Sequence, residues 1–333
     1  MNADTSPRAN TLPILVGLSV VIVAVDDDGP NVLVTQHSSP ASNTSSGRES
    51  YGLPFGSFDP VHHRTFELAL RHWVTEQTGF ELGFVEQLYT FGDRGRETGQ
   101  DFAAPKAERV ISVGYLAMAR ARTDVAGFPA VWRDWYALFP WEDWRAGRPE
   151  CLKRIELALR EWVSAQSAAD NSTLDRVCLA FGLDGRPWIE ERVLERYELL
   201  YEAGLVAEAA RDHNQPFMAQ VQSGSILNAD HRRILATAMG RLRGKIKYRP
   251  IVFDLMPEAF TLSTLQASVE AILGLRLHKQ NFRRALSASR LVEGTGSIET
   301  ATGGRPAELF RFRAELLRER AVLGVPTPLS RTT

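Results

Sequence analysis

Two stretches of this 333-residue chain hold side chains whose types and spacing could do chemistry. The first is residues 50 to 82, SYGLPFGSFDPVHHRTFELALRHWVTEQTGFEL, with His62, His63, Glu67, His72 and Glu76 among its metal-capable groups. Metal-assisted hydrolysis needs several oxygen ligands converging on one ion and a way to activate water. One or two carboxylates are too few. Glu67 with Arg71, and His72 with Glu76, are four apart and read as ion pairs on a helix surface instead. The second stretch is residues 278 to 289, HKQNFRRALSAS. Lys279, Gln280, Asn281, Arg283, Arg284 and Ser287 put base-reading and phosphate-reading groups on one helix, while Phe282 and Leu286 supply its inward face. The chemistry there is recognition of a polyanion.

Charge supports that second reading. The formal net charge is -1, yet residues 230 to 320 carry 17 Lys/Arg against 9 Asp/Glu. A basic C-terminal third on an acidic body points to a nucleic-acid partner for that third. Arg243, Lys245 and Lys247, beside Arg241, are expected to neutralise phosphates, and Arg305, after two glycines, to enter a minor groove from a hairpin tip.

The elements that must position these groups follow from pattern. A chain of this length and ordinary composition is expected to hold two domains, or two and a connector. Residues 14 to 25, ILVGLSVVIVAV, read as a strand buried on both faces, paired through the DDDGP turn with a second strand at 31 to 36. A Ser/Asn-rich loop at 37 to 50 leads to a helix closed by Gly79, with Phe66, Leu70, Trp73 and Val74 as its buried face. Residues 83 to 91 and 109 to 118 read as further strands. Helices are expected at 150 to 166, 172 to 181 and 187 to 209, after an aromatic cluster at 132 to 144. Helices at 231 to 247, 261 to 273 and 278 to 289, then two short strands around a Gly-rich tip, give the plan of a winged helix-turn-helix.

The fold class expected is therefore α+β: an N-terminal αβα sandwich over 1–120, a helical connector over 121–229, a winged-helix domain over 230–320 and a tail at 321–333. Cys151 and Cys178 lie 27 apart without a CxxC motif, so neither a zinc site nor a disulfide framework is expected, and a cytoplasmic setting fits. No export signal or membrane anchor is expected.

The layout of 50 to 82 resembles a Nudix box. Set against that pattern from Gly79 backwards, His72 takes the arginine position, Trp73 and Gln77 take glutamate positions, and Glu76 retains one. Gly56 and Gly79 stand 23 residues apart, two more than the pattern has. LPFG at 53–56, EQLYTFGD at 86–93 and RVISVGYLA at 109–117 resemble the sensor domain of NrtR-type Nudix-related regulators of NAD metabolism. RLRGKIKYRPIVFDLMP at 241–257, FTLSTLQ at 260–266, LHKQNFRRAL at 277–286 and GRPAELFRF at 304–312 resemble their winged helix. The long middle segment points to the NadQ subgroup of alphaproteobacteria.

The resemblance implies a homodimeric repressor of NAD synthesis or salvage genes. It would bind operator DNA and sense an adenine nucleotide, namely ADP-ribose, NAD or ATP, in a Nudix-like pocket without catalysis, metal or cofactor. Candidate effector residues are Arg71 and Glu76 on the box helix, Arg94 and Arg109 for phosphates, and Phe91 and Tyr115 for stacking the base. The rival expectation is a Mg-dependent ADP-ribose or nucleoside-diphosphate hydrolase with an accessory C-terminal domain.

Overall fold

A computed structural model of the chain describes residues 14–37, 50–83, 85–93, 109–122, 125–166, 171–299 and 306–315. The extreme N-terminal segment, most of the Ser-rich loop, the 321–333 tail, Arg94 and Arg305 lie outside the described residues.

The long apolar run becomes β1 (Ile14–Val25), the central strand of a seven-stranded sheet. It pairs antiparallel with β2 (Pro30–His37) across the Asp-rich turn, which also holds β3 (Ser50–Gly52) on its far side. Near its start, β1 pairs antiparallel with β4 (Phe55–Ser57), so that Leu18 faces Gly56. The helix α1 (Phe66–Thr78) follows, capped by Thr65, whose side chain accepts from Leu68 N–H, and closed by Gly79 at φ 66°. An L side chain is strained at that angle, which is why glycine ends the helix there. Then β5 (Val85–Phe91) pairs with β6 (Arg109–Ala119), and β6 runs parallel to β1 along its length. β7 (Ala130–Asp134) completes the sheet on β2.

Because β1 is buried on both faces, its alternate residues feed two cores. Leu18, Val20 and Ile22 join Leu70 and Val74 of α1 in one. Val21 and Val23 face the other, which is filled by the middle and C-terminal segments. The middle segment holds α2 (Trp135–Leu138), a 3-10 turn at Pro140–Glu142, α3 (Cys151–Ala165), α4 (Asn171–Phe181), α5 (Val193–Glu202) and α6 (Ala207–Asp212). The helix expected over 187 to 209 is broken, because Gly204 at φ 69° ends α5.

The next helix, α7 (His231–Ile246), lies on the second face of the sheet against β1, β5 and β6, and against α5. Sequence pattern assigns it to the DNA-binding domain. In the structure it is the second helical layer of the sandwich. After a 3-10 turn at Ile251–Leu255 come α8 (Leu262–Leu273), α9 (Lys279–Ser289) and a hairpin of β8 (Val292–Glu299) and β9 (Ala307–Phe312). Phe253 stacks on Phe312 at 4.2 Å and Phe260 bridges to Phe310, so the hairpin is fastened beside the helix pair. The result is an α+β molecule with a Nudix-like sandwich, a helical middle and a winged helix.

Candidate nucleic-acid interface and sensor site

The cap of α9 is His278, whose Nδ1 accepts Asn281 N–H at 3.5 Å. Phe282 and Leu286 are fully buried, and burying each stabilises the helix's seat by about 1.5–3 kcal/mol. That leaves Lys279, Gln280, Arg283, Arg284 and Ser287 exposed, with Asn281 half-buried and accepting from Arg284 Nη2 at 3.1 Å. Guanidinium and carboxamide forks are the groups that read guanine and adenine edges in a major groove. The structure brings these six together on one face. Arg305 lies outside the described residues, though the strands that would carry it as a wing are present.

Basic residues of α7 have another fate. Arg243 is completely buried: its Nη1 lies 2.5 Å from Glu142 Oε2, and its Nε donates to the Ile272 carbonyl at 2.9 Å. Lys245 is buried against Glu86 of β5. Lys247 reaches Glu191 at 2.5 Å and Glu190 at 3.3 Å. Expected as phosphate contacts, these three cations are instead engaged inside the protein, because α7 is a layer of the sandwich and faces acidic residues of the sheet and middle segment. Arg232 and Arg233 follow suit, the first with Glu208 and the second with Asp93, Glu198 and Asp230.

Glu142 is the centre of a buried charged node. Arg196 Nε approaches one of its carboxylate oxygens at 2.6 Å while Arg243 holds the other, and all three side chains are inaccessible to solvent. Burial pushes the Glu142 carboxyl up, but the two guanidiniums outweigh it and hold the group below the usual carboxylate range. The node reaches the winged helix directly. Tyr136 Oη donates to the Ala271 carbonyl at 2.6 Å, and Trp144 N–H donates to the Gly274 carbonyl at 2.6 Å. Gly274, the turn residue between α8 and α9, sits at φ 73° with Glu142 O only 2.4 Å from where a Cβ would stand. Nothing in the local sequence around Glu142 announces this role; the one cue is an acid set among four tryptophans.

Trp73 and Gln77, where the resemblance would place box glutamates, pack against β4. The Trp73 indole lies over Gly56, where a Cβ would fall 2.3 Å from the ring, and its Nε1 donates to Ser57 O at 3.0 Å. Gln77 accepts from Phe55 N–H at 3.2 Å and donates to Phe55 O at 2.5 Å. Together they bolt α1 to β4. Glu76 is exposed and lies 3.6 Å from His72. Phe66, expected on the buried face, is 36% exposed and meets Phe58 edge-on at 4.7 Å. Among the described residues, no three His, Cys, Asp or Glu side chains gather so as to hold a metal ion.

Of the candidate effector residues, the two aromatics Phe91 and Tyr115 lie on opposite faces of the sheet. Arg71 pairs with Glu67 at 2.8 Å and donates to Gly83 O at 2.8 Å, tying α1 to the loop after it. Tyr115 is buried on the α1 face, where burial and then Glu67 raise its hydroxyl pKa. Phe91 is on the opposite face, beneath the Arg233 guanidinium at 5.2 Å. Pairing explains the split: Phe91 stands opposite Ser112, three residues from Tyr115, and an odd offset along a strand reverses the side. Arg109 donates to the Gly92 carbonyl. Arg94 lies outside the described residues.

Comparison with known proteins accords with this architecture. Residues 252–312 match the family of the NrtR DNA-binding winged helix domain. Over 83 residues the chain is 45% identical to a protein of Acinetobacter baylyi named ADPR responsive transcriptional repressor NtrR, covering 25% of this chain. The chain thus spans 33% of that relative's length. It is similar in fold to Shewanella oneidensis NrtR complexed with a 27mer DNA, at TM-score 0.50 and 20% identity, over 90% of this chain and 93% of the other. A MutT/nudix family protein from Enterococcus faecalis is similar at TM-score 0.49 and 16% identity, over 91% of this chain and 89% of its own.

Proposed function

We propose that this chain, in which an NrtR-type winged helix is joined to a Nudix-like sandwich, is a DNA-binding transcriptional repressor of NAD synthesis or salvage genes. It senses an adenine nucleotide and acts as a homodimer in the cytoplasm, as a member of the NadQ subgroup. The observation that carries this reading is the polar face of α9, exposed on a winged helix of the NrtR type. The relative named as ADPR-responsive supports a nucleotide as the signal.

The same reading accounts for the box. Trp73 and Gln77 at glutamate positions put an indole and a carboxamide where a hydrolase would place hard oxygen ligands. A sensor that destroyed its effector would erase its own signal, so loss of those ligands suits regulation. The effector contacts at Arg71, Glu76, Arg94, Arg109 and Tyr115 stay part of the proposal, with Arg233 over Phe91 marking the opposite face of the sheet.

The test is a gel shift on the DNA upstream of the chain's own gene, with and without ADP-ribose, NAD or ATP, followed by assay of each sample for released AMP. Nucleotide-sensitive retention without turnover is expected. Mg-dependent AMP release that Glu76→Gln removes would instead establish the hydrolase.

A further inference from the structure

Between the sandwich and the winged helix lies a cleft of about 500 Å³, within the size range of small-molecule sites. The β1–β2 turn and Arg120 form one wall, α8 and Arg276 the other, and Arg145 reaches in from the middle segment. Three guanidiniums from three parts of the chain therefore share one space.

Each has donors to offer. Arg120 is exposed and, among the described residues, makes no ion pair; its neighbouring charge is Asp254, whose carboxyl is pushed up by burial. Arg145 uses Nε and Nη2 on Asp143, at 2.8 and 2.9 Å, and its Nη1 lies 3.3 Å from where a side chain on Gly29 would begin. Glycine there keeps that donor open to the cleft. Arg276 gives Nη1 to Glu270 at 2.9 Å and is 67% exposed. Ser263 and Thr264 add hydroxyls from the first turn of α8.

The rest of the lining narrows the ligand. Asp26 is held by Arg122 and the turn amides, but Asp27 is exposed in the cleft, where a carboxylate suits a diol rather than a phosphate. Val25, Leu255, Met256 and Pro257 give an apolar wall for a flat ring. Arginines for phosphates, an acid for ribose hydroxyls and an apolar wall for a base are the parts of a nucleotide site. We infer that this interdomain cleft binds a nucleoside polyphosphate. Its link to regulation rests on the repressor reading above; the binding itself does not.

The place in the fold differs from the box. Gly56 is opposite Leu18 of β1, while the cleft is at Val25; seven residues at about 3.3 Å each separate them by roughly 23 Å. A ligand spanning Arg120 and Arg276 would tie sandwich to α8. Ala271 lines the same cleft and its carbonyl takes the Tyr136 hydroxyl, so the ligand would bear on the buried node and on the seat of the turn before α9.

Calorimetry on the full chain, without DNA, tests this with ATP, ADP-ribose and tripolyphosphate as probes. Arg120→Ala removes charge-assisted hydrogen bonds, and Ala267→Trp fills the cleft from an exposed helix position; each is expected to weaken ATP or ADP-ribose at least tenfold. Arg186→Ala, at a surface arginine of the middle segment paired with Asp175, should leave that affinity unchanged. Wild-type affinity in both cleft variants would overturn the proposal, as would no binding of either nucleotide to the wild type. Tripolyphosphate binding as tightly as ATP would overturn the nucleoside part. A gel shift without nucleotide, run alongside, should be the same for Arg120→Ala and wild type. If the wild type shifts no DNA, the repressor reading fails while the calorimetric result stands.

Discussion

Two basic helices of this chain, α7 and α9, have similar cationic content and opposite uses. Between Arg232 and Arg249 the sequence has seven Lys/Arg and no acid, a denser positive run than in α9. Yet Arg232, Arg233, Arg243, Lys245 and Lys247 each face a carboxylate of the sandwich or middle segment. In α9, Lys279, Arg283 and Arg284 face solvent with no carboxylate against them among the described residues. The matched winged helix, 252–312, holds 7 Lys/Arg against 6 Asp/Glu and is nearly neutral. Charge count thus describes an internal electrostatic joint as readily as a nucleic-acid footprint. What separates the two is whether the fold sets acids opposite.

That contrast is broken most strongly at the node. Arg243→Ala leaves Glu142 buried with one of its two guanidiniums gone, and breaking such a pair costs about 3–5 kcal/mol. Urea denaturation should report that loss, whereas Arg284→Ala should leave the midpoint unmoved. Acid should reach the same node. Because Glu142 is held below the ordinary carboxylate value of 4.5, its contribution is fully present above that pH and is lost as pH falls through the lower folded value. Denaturation midpoints from pH 6 downward should fall more steeply in the wild type than in Arg243→Ala.

A smaller effect is expected at Gly274. Alanine there meets both a positive φ and the Glu142 carbonyl, costing on the order of 1–3 kcal/mol. It should loosen the seat of α9 and weaken operator binding together with stability. Smallest is the salt dependence: Lys279→Ala should lower the slope of log affinity against log salt by about 1, while Lys247→Ala leaves it unchanged.

What sequence made legible is local. Gly79 as the α1 stop and Phe282 with Leu286 as the inward face of α9 are each decided within one or two helical turns. What it hid is set by distant partners. Arg243 meets an acid 101 residues earlier, and Arg196 meets the same acid 54 residues away. Phe91 and Tyr115 look equivalent as strand aromatics, and only pairing, with an irregularity between Gln87 and Thr90, puts them on opposite faces. Trp73 and Gln77 are set beside a metal-box pattern by resemblance alone, and nothing local marks them as the bolts of α1 to β4, because Ser57 and Phe55 become their partners only once the strand folds back.

The most direct measurement is fluorescence anisotropy of a labelled upstream DNA fragment titrated with wild type and with the double variant Arg283→Ala/Arg284→Ala at one fixed salt concentration. Each base-reading contact is worth about 1–3 kcal/mol, so wild-type binding should be saturable and should weaken roughly a hundredfold or more in a variant whose urea midpoint is unchanged. Equal affinity of the two proteins, or no retention of the fragment by the wild type, would contradict this expectation.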